Sequence, residues 1–222
     1  MTSMAGSAAA EGPGSGPGSG PSDAAPGHGP DAEQLKECWA EAYEAWIAPP
    51  GTTSGEVLYF RPAAGVEECG APSPSIEEAV ALGERHGGLF GLTAFNPMGQ
   101  DQPHEVNMER SSQLQAEIEA LCKASGGIWW RSFGFDKDWH EKGFTVAGPE
   151  AEVVALARKY RQGAVYRFSR ASQNSDGASG VCRTAMLRST VPVLLEDTDA
   201  DVLLAQTSRP AIEQADPLWV PM

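Results

Sequence analysis

No lysine or arginine occurs before Lys36, no CxxC pair occurs anywhere, and no apolar run is long enough to cross a bilayer. The longest such run, Gly87 to Phe95, falls far short of the about 20 residues that a spanning helix requires. A secretory leader needs a positive start and an apolar stretch, and a transit peptide needs arginine and little acid. The opening segment offers neither and contains Glu11, Asp23 and Asp31, so a cytoplasmic location with no membrane partner is the expectation. Cys38, Cys69, Cys122 and Cys182 lie far apart, which suits free thiols better than a disulfide framework.

Positive charge is scarce as well. Sixteen basic side chains face thirty acidic ones, a formal charge of −14. Nucleic acid and anionic membranes both demand a positive footprint, so neither is an expected partner. The basic residues of the middle of the chain (Lys123, Arg131, Arg158, Lys159, Arg161, Arg167 and Arg170) read as a solvated mixed-charge surface. His28, His86, His104 and His140 show no metal-ligand spacing, and neither a GxGxxG nor a P-loop pattern occurs. No metal or cofactor is expected.

Glycine and proline are abundant, 25 and 17 residues, and many fall in residues 1–30, which read as a disordered tail with nothing to bury. A single α+β domain is expected over residues 31–195, with a core at 88–168, followed by an acidic extension over 196–222 that is partly ordered at best. Leu35, Trp39, Ala42 and Trp46 recur at helical spacing before Pro49-Pro50, so one helix is expected through Trp46. A strand is expected over Gly55–Phe60. A helix follows from Ser75, which with Glu78 fits a capping box, to about His86. The central block reads as a strand over Leu89–Phe95, a turn at Asn96-Pro97-Met98-Gly99, and a long helix over His104–Ala124. Strands at Ile128–Phe135 and Phe144–Val146 flank a charged loop, Asp136 to Lys142. A helix then starts at Pro149, and a strand covers Ala164–Phe168. This β-α-β-β-α-β order predicts a ferredoxin-like core, two helices on one face of an antiparallel sheet, with the N-terminal helix and strand added to it. After a polar loop at 169–180, Val181–Leu187 and Val191–Leu195 read as edge strands; residues 197–222 suggest no element.

Helical periodicity singles out one polar residue. Leu114, Ile118 and Leu121 define the buried stripe of the long helix, and Asn107 lies seven residues before Leu114 at nearly the same angle. An amide thus sits on the core side of the first turn, near free backbone N–H groups and the positive end of the helix dipole. Asn96, at the preceding strand end, adjoins it. A strand end facing a helix N-terminus can hold a small polar or anionic ligand, or both amides can simply satisfy loop backbone. Glu141, beside Trp139 and His140, is either an acid of raised pKa or an ordinary loop carboxylate. Gln162, beside Gly163, suits a helix-ending turn. Cys122 falls on the apolar stripe and reads as core. Trp129 and Trp130 must point to opposite faces of their strand.

The string Thr93-Ala94-Phe95-Asn96-Pro97, with Asn107 in the next helix, resembles the opening of an uncharacterised family, domain-of-unknown-function family 3293. Trp139-His140-Glu141, Phe144 to Gly148 and Gln162-Gly163-Ala164-Val165 match its further marks in order. The resemblance covers about residues 88–168, with an echo at Trp39–Trp46 and Leu58–Phe60. It brings no activity with it, but implies that Asn96, Asn107, Glu141 and Gln162 form one polar set. Three functions fit such a set: a non-enzymatic small-ligand-binding or regulatory domain, an enzyme with Glu141 as general acid or base, or a protein-interaction module whose partner is unknown.

Overall fold

In the segment Tyr43-Glu44-Ala45-Trp46-Ile47, alternate residues face opposite sides of a strand. That segment is the first of eight strands in a computed structural model, which describes residues 32–63, 74–171, 186–196 and 199–215. The expected tail at 1–30, most of the polar loop after Ser169, the start of the expected strand at Val181, Cys69, Cys182 and the last residues of the acidic extension lie outside the described residues.

The elements follow in the order α1 (Ala32–Glu41), β1 (Tyr43–Ile47), β2 (Val57–Pro62), α2 (Pro74–His86), β3 (Leu89–Thr93), α3 (His104–Ser125), β4 (Ile128–Phe135), β5 (His140–Ala147), α4 (Glu150–Lys159), β6 (Ala164–Arg170), β7 (Met186–Pro192) and β8 (Asp201–Thr207). One-turn 3₁₀ helices cover Pro97–Gly99 and Glu213–Ala215. The strands hydrogen-bond in the ring β1-β2-β8-β7-β6-β3-β5-β4 and back to β1. Every pairing is antiparallel.

This closed barrel replaces the expected ferredoxin-like α+β sheet. The strands of the expected core are successive staves, β6-β3-β5-β4, but neither outer edge is left open. β1 pairs along β4, with Trp46 opposite Ser132, and β7 pairs along the whole of β6. β2 and β8 join the two, with Phe60 opposite Gln206. Closure leaves no row of unpaired backbone groups. The three helices that cover the barrel do not all share one face either. α3 and α4 cover the outside, where Leu114, Ile118, Val153 and Ala157 pack with Phe90, Leu92, Phe144 and Val146. α2 instead inserts its apolar stripe into one end of the barrel, where Ile76, Ala79, Val80 and Leu82 meet Trp46, Leu89, Trp130 and Phe168.

Several boundaries move for related reasons. The helix expected through Trp46 stops at Glu41, and Trp46 is an inward residue of β1 at the centre of an aromatic cluster with Phe60, Trp130 and Phe168. The expected charged loop Asp136–Lys142 is only a tight turn, because β5 begins at His140. In place of two edge strands, one stave spans Met186–Pro192, and the region that suggested no element contributes β8. Trp130 faces inward and is buried, whereas Trp129 lies outside against Phe144.

Candidate functional site

The end of the barrel opposite α2 is not filled. Three residues there, Gly91, Gly134 and Gly143, carry no side chain, and a cavity of about 80 Å³ remains. One water requires roughly 10–15 Å³ of such space, so the cavity suits several waters or a group of a few heavy atoms. Strand register arranges its acids. Glu44 on β1 and Glu141 on β5 both stand opposite Gly134 on the strand between them. Two carboxylic acids therefore flank one vacant position, about 10 Å apart at their Cα atoms by two interstrand steps. Ser132, Tyr166, Gln162 and Thr93 add polar lining, and Trp39 and Trp139 add indole rings.

Glu44 is 2% exposed. Burial pushes its pKa up to about 8, a rise that the Arg188 guanidinium opposes because an adjacent cation favours the ionised acid. The pair is loose: Arg188 Nη1 lies 4.0 Å from Glu44 Oε2, and that oxygen accepts no hydrogen bond. Arg188, itself buried, spends its donors elsewhere, with Nη1 donating to the Ala42 carbonyl at 3.0 Å and Nη2 donating to the Trp39 carbonyl. Its guanidinium also lies 4.5 Å from the centre of the Tyr166 ring. Enclosure raises the phenol pKa of Tyr166, and the charges of Glu44 and Glu141 raise it further.

Glu141 stays partly open where it lines the cavity, although its carboxyl is enclosed by protein. Burial lifts its pKa to about 7, with Asp101 adding to the rise and a hydrogen bond from Asn96 opposing it. That bond begins a relay. Asn96 Nδ2 donates to Glu141 Oε1 at 2.9 Å, and Asn107 Nδ2 donates to Asn96 Oδ1 at 2.8 Å. Asn107 Oδ1 in turn accepts from the Asn96 backbone N–H at 3.0 Å. Asn96 adopts left-handed backbone, with φ 43°, as does Met98 with φ 56°, a conformation costing about 1 kcal/mol or more for each such residue. The loop is tied down by Arg110, which reaches the carbonyls of Ala94 and Tyr160 from α3.

The four residues singled out from sequence thus fall into two groups. Asn96, Asn107 and Glu141 form one hydrogen-bonded chain, in which only Glu141 lines the cavity. Gln162 lines the cavity too, but its Nε2 donates to the Phe95 carbonyl at 2.9 Å, so it fixes the strand end next to Asn96. Asn107, in the first turn of α3, is thus committed to the relay through both atoms of its amide. Sequence reasoning missed Glu44, Tyr166 and Arg188. Glu44 carried a usable signal, an acid two residues before Trp46 and hence on the same strand face, which the helical reading concealed. Arg188 sat beyond the end of an expected strand. Among the described residues no group of three or more His, Cys, Asp or Glu side chains is placed to hold a metal ion, and no helix is long and apolar enough to cross a membrane.

No curated protein and no solved structure matches the chain. The matched family segment holds Asn96, Asn107, Glu141 and Gln162, while Glu44, Tyr166 and Arg188 lie outside it: residues 92–165 match the family described as Protein of unknown function (DUF3293).

Proposed function

We propose that this protein is a small-ligand-binding barrel, its ligand lodged in the lumen beside Trp39 and Trp139 and bound by Glu141, Glu44 and Tyr166. The observation that carries the reading is the row Glu44-Gly134-Glu141, two enclosed acids flanking a position with no side chain. A core selected only for stability fills such space, because interiors pack to crystal density and buried unpaired acids are costly. The Asn96–Asn107 relay fits the same purpose, since it holds one Glu141 oxygen and leaves the other for a ligand. Gly134→Val tests this. A Cβ at Gly134 has the Trp139 ring as its nearest neighbour at 3.5 Å, an ordinary contact, so the variant folds while occupying the cavity. Compounds that raise the melting temperature of the native chain are expected to leave that of Gly134→Val unchanged. A thermal-shift screen of polar metabolites with no hit, or hits that act equally on the variant, would sink the reading.

A second reading rests on Glu141 alone. A carboxylic acid of pKa about 7 matches the demands of a general acid or base at neutral pH. An enzyme of this kind shows a rate profile with a limb near pH 7 that disappears in Glu141→Gln. Retained turnover in that variant excludes it.

A further inference from the structure

The polar groups of the lumen are unevenly matched. Its strong donors are spent on the protein itself: both terminal nitrogens of Arg188 on backbone carbonyls, the Gln162 amide on Phe95, the Asn96 amide on Glu141. Beside the vacant position an acceptor is left over: Glu44 Oε2 is buried without a partner. Deeper in the barrel the Thr145 hydroxyl and the indole N–H groups of Trp46 and Trp130 are also unpartnered, but none of the three borders the cavity. The hydroxyls of Ser132 and Tyr166 can turn to accept or to donate. An anionic ligand would meet two acids and an arginine whose two terminal nitrogens already donate to backbone carbonyls. A ligand bringing its own N–H groups and a positive charge would satisfy the acceptors and neutralise the acids together.

We infer that the group received in the lumen is a small nitrogenous cation, an ammonium, amidinium or guanidinium, held by Glu141 on one side of Gly134 and by Glu44 on the other. This rests on the reading of the lumen as a ligand site and narrows its ligand class. Three further features agree. The cavity matches a group of a few heavy atoms rather than a large ligand. Trp39 and Trp139 border it, and indole faces attract cations. A carboxyl group lies on each side of the vacant position, as a planar, many-donor cation requires.

Such binding is linked to protons. The groups that face Glu141 are Asn96 and Asp101 from the segment before α3, Tyr166 on β6 and, across the row, Glu44 with Arg188 behind it. A bound cation needs the ionised acid, so its affinity rises with pH through the range in which Glu141 titrates, about 7. A cation relying on that one carboxylate loses roughly tenfold in affinity from pH 8 to pH 6, since each tenfold in proton concentration is one pKa unit. An anion gives the opposite slope.

Three isosteres of different charge separate the outcomes: acetamidinium, acetamide and acetate, titrated into the full chain while the indole N–H signals of Trp39 and Trp139 are followed by NMR. At pH 8 acetamidinium is expected to bind at least about tenfold more tightly than either of the others. That preference is expected to shrink at pH 6 and to vanish in Glu141→Gln. Acetate or acetamide equalling acetamidinium, or no response to any of the three, overturns the cationic assignment while the thermal-shift screen still judges the site. An acetamidinium response that persists undiminished in Gly134→Val overturns the lumen site itself.

Discussion

Glu44 is a buried acid with a loosely placed cation for company, and its cost depends on pH. Its pKa is about 8 in the folded chain against an ordinary 4.5, so between those values the folded state holds a proton that the unfolded state has released. Stability then falls as pH rises, and the fall ends once Glu44 is ionised in both states. Glu141, raised to about 7, adds a second contribution of the same sign over a narrower range. Glu44→Gln keeps the shape and removes the titration. The melting temperature of the native chain is expected to drop from pH 6 to pH 9 by several degrees more than that of Glu44→Gln, and parallel curves for the two proteins would refute the burial argument. Asn96 offers a separate handle on Glu141. Asn96→Gly tolerates the left-handed backbone and deletes only the amide, so the pKa of Glu141 is expected to rise above about 7, read by carbon NMR of the carboxyl.

Among elements, α2 is the one whose sequence announces its packing most directly. Its stripe Ile76, Ala79, Val80 and Gly83 ends in a glycine because β3 runs against it: a Cβ at Gly83 would sit 2.6 Å from Leu89 Cβ and 3.0 Å from its backbone nitrogen. Gly83→Ala gains helix propensity of about 1 kcal/mol but forces the helix off the strand, and overpacking of this kind costs about 1–3 kcal/mol. A net loss in denaturant midpoint is expected, and a gain would mean that α2 slides freely. Periodicity was informative wherever an element's partner is local or its face wholly apolar. α2, α3, β4 and Asn107 all stand out, because the 3.6-residue stripe and the Gly126 stop are written in adjacent residues. β1 did not, because Leu35, Trp39, Ala42 and Trp46 satisfy helical spacing across a helix, a bend and a strand. β5 appeared too short because His140-Glu141-Lys142 is polar on both faces. Those residues are strand because β4 pairs with them, Gly134 opposite Glu141 and Phe135 opposite His140.

At the scale of the whole molecule, closure is the property that no local pattern records. It depends on pairings between segments far apart in sequence, β1 with β4 and β2 with β8, whose loop-closure entropy is recovered only when the ring is complete. The two halves of the barrel also share one interior. Leu89, Trp130, Ala147 and Phe168 from β3, β4, β5 and β6 bury their side chains against Trp46, Leu58, Phe60, Met186 and Leu204 from the other staves. Removing residues 201–222 strips the backbone partners from β2 and β7 and takes Leu204, which is fully buried, out of that interior. A half-barrel left behind would face water with rings drawn from the two tryptophans and two phenylalanines of the interior, Trp46, Trp130, Phe60 and Phe168, roughly 150–250 Å² of aromatic surface for each ring exposed. At about 25 cal/mol per Å², exposing even two of these rings is comparable with the entire stability of a domain of this size, about 5–15 kcal/mol. Loss of slow amide exchange is therefore expected in all the staves of the truncated chain, including β3, β4 and β5, which share no backbone pairing with β8. Protection that survives in β3 to β6 together with α3 and α4, while β1, β2 and β7 exchange freely, would show instead that the family-matched segment folds as a unit of its own.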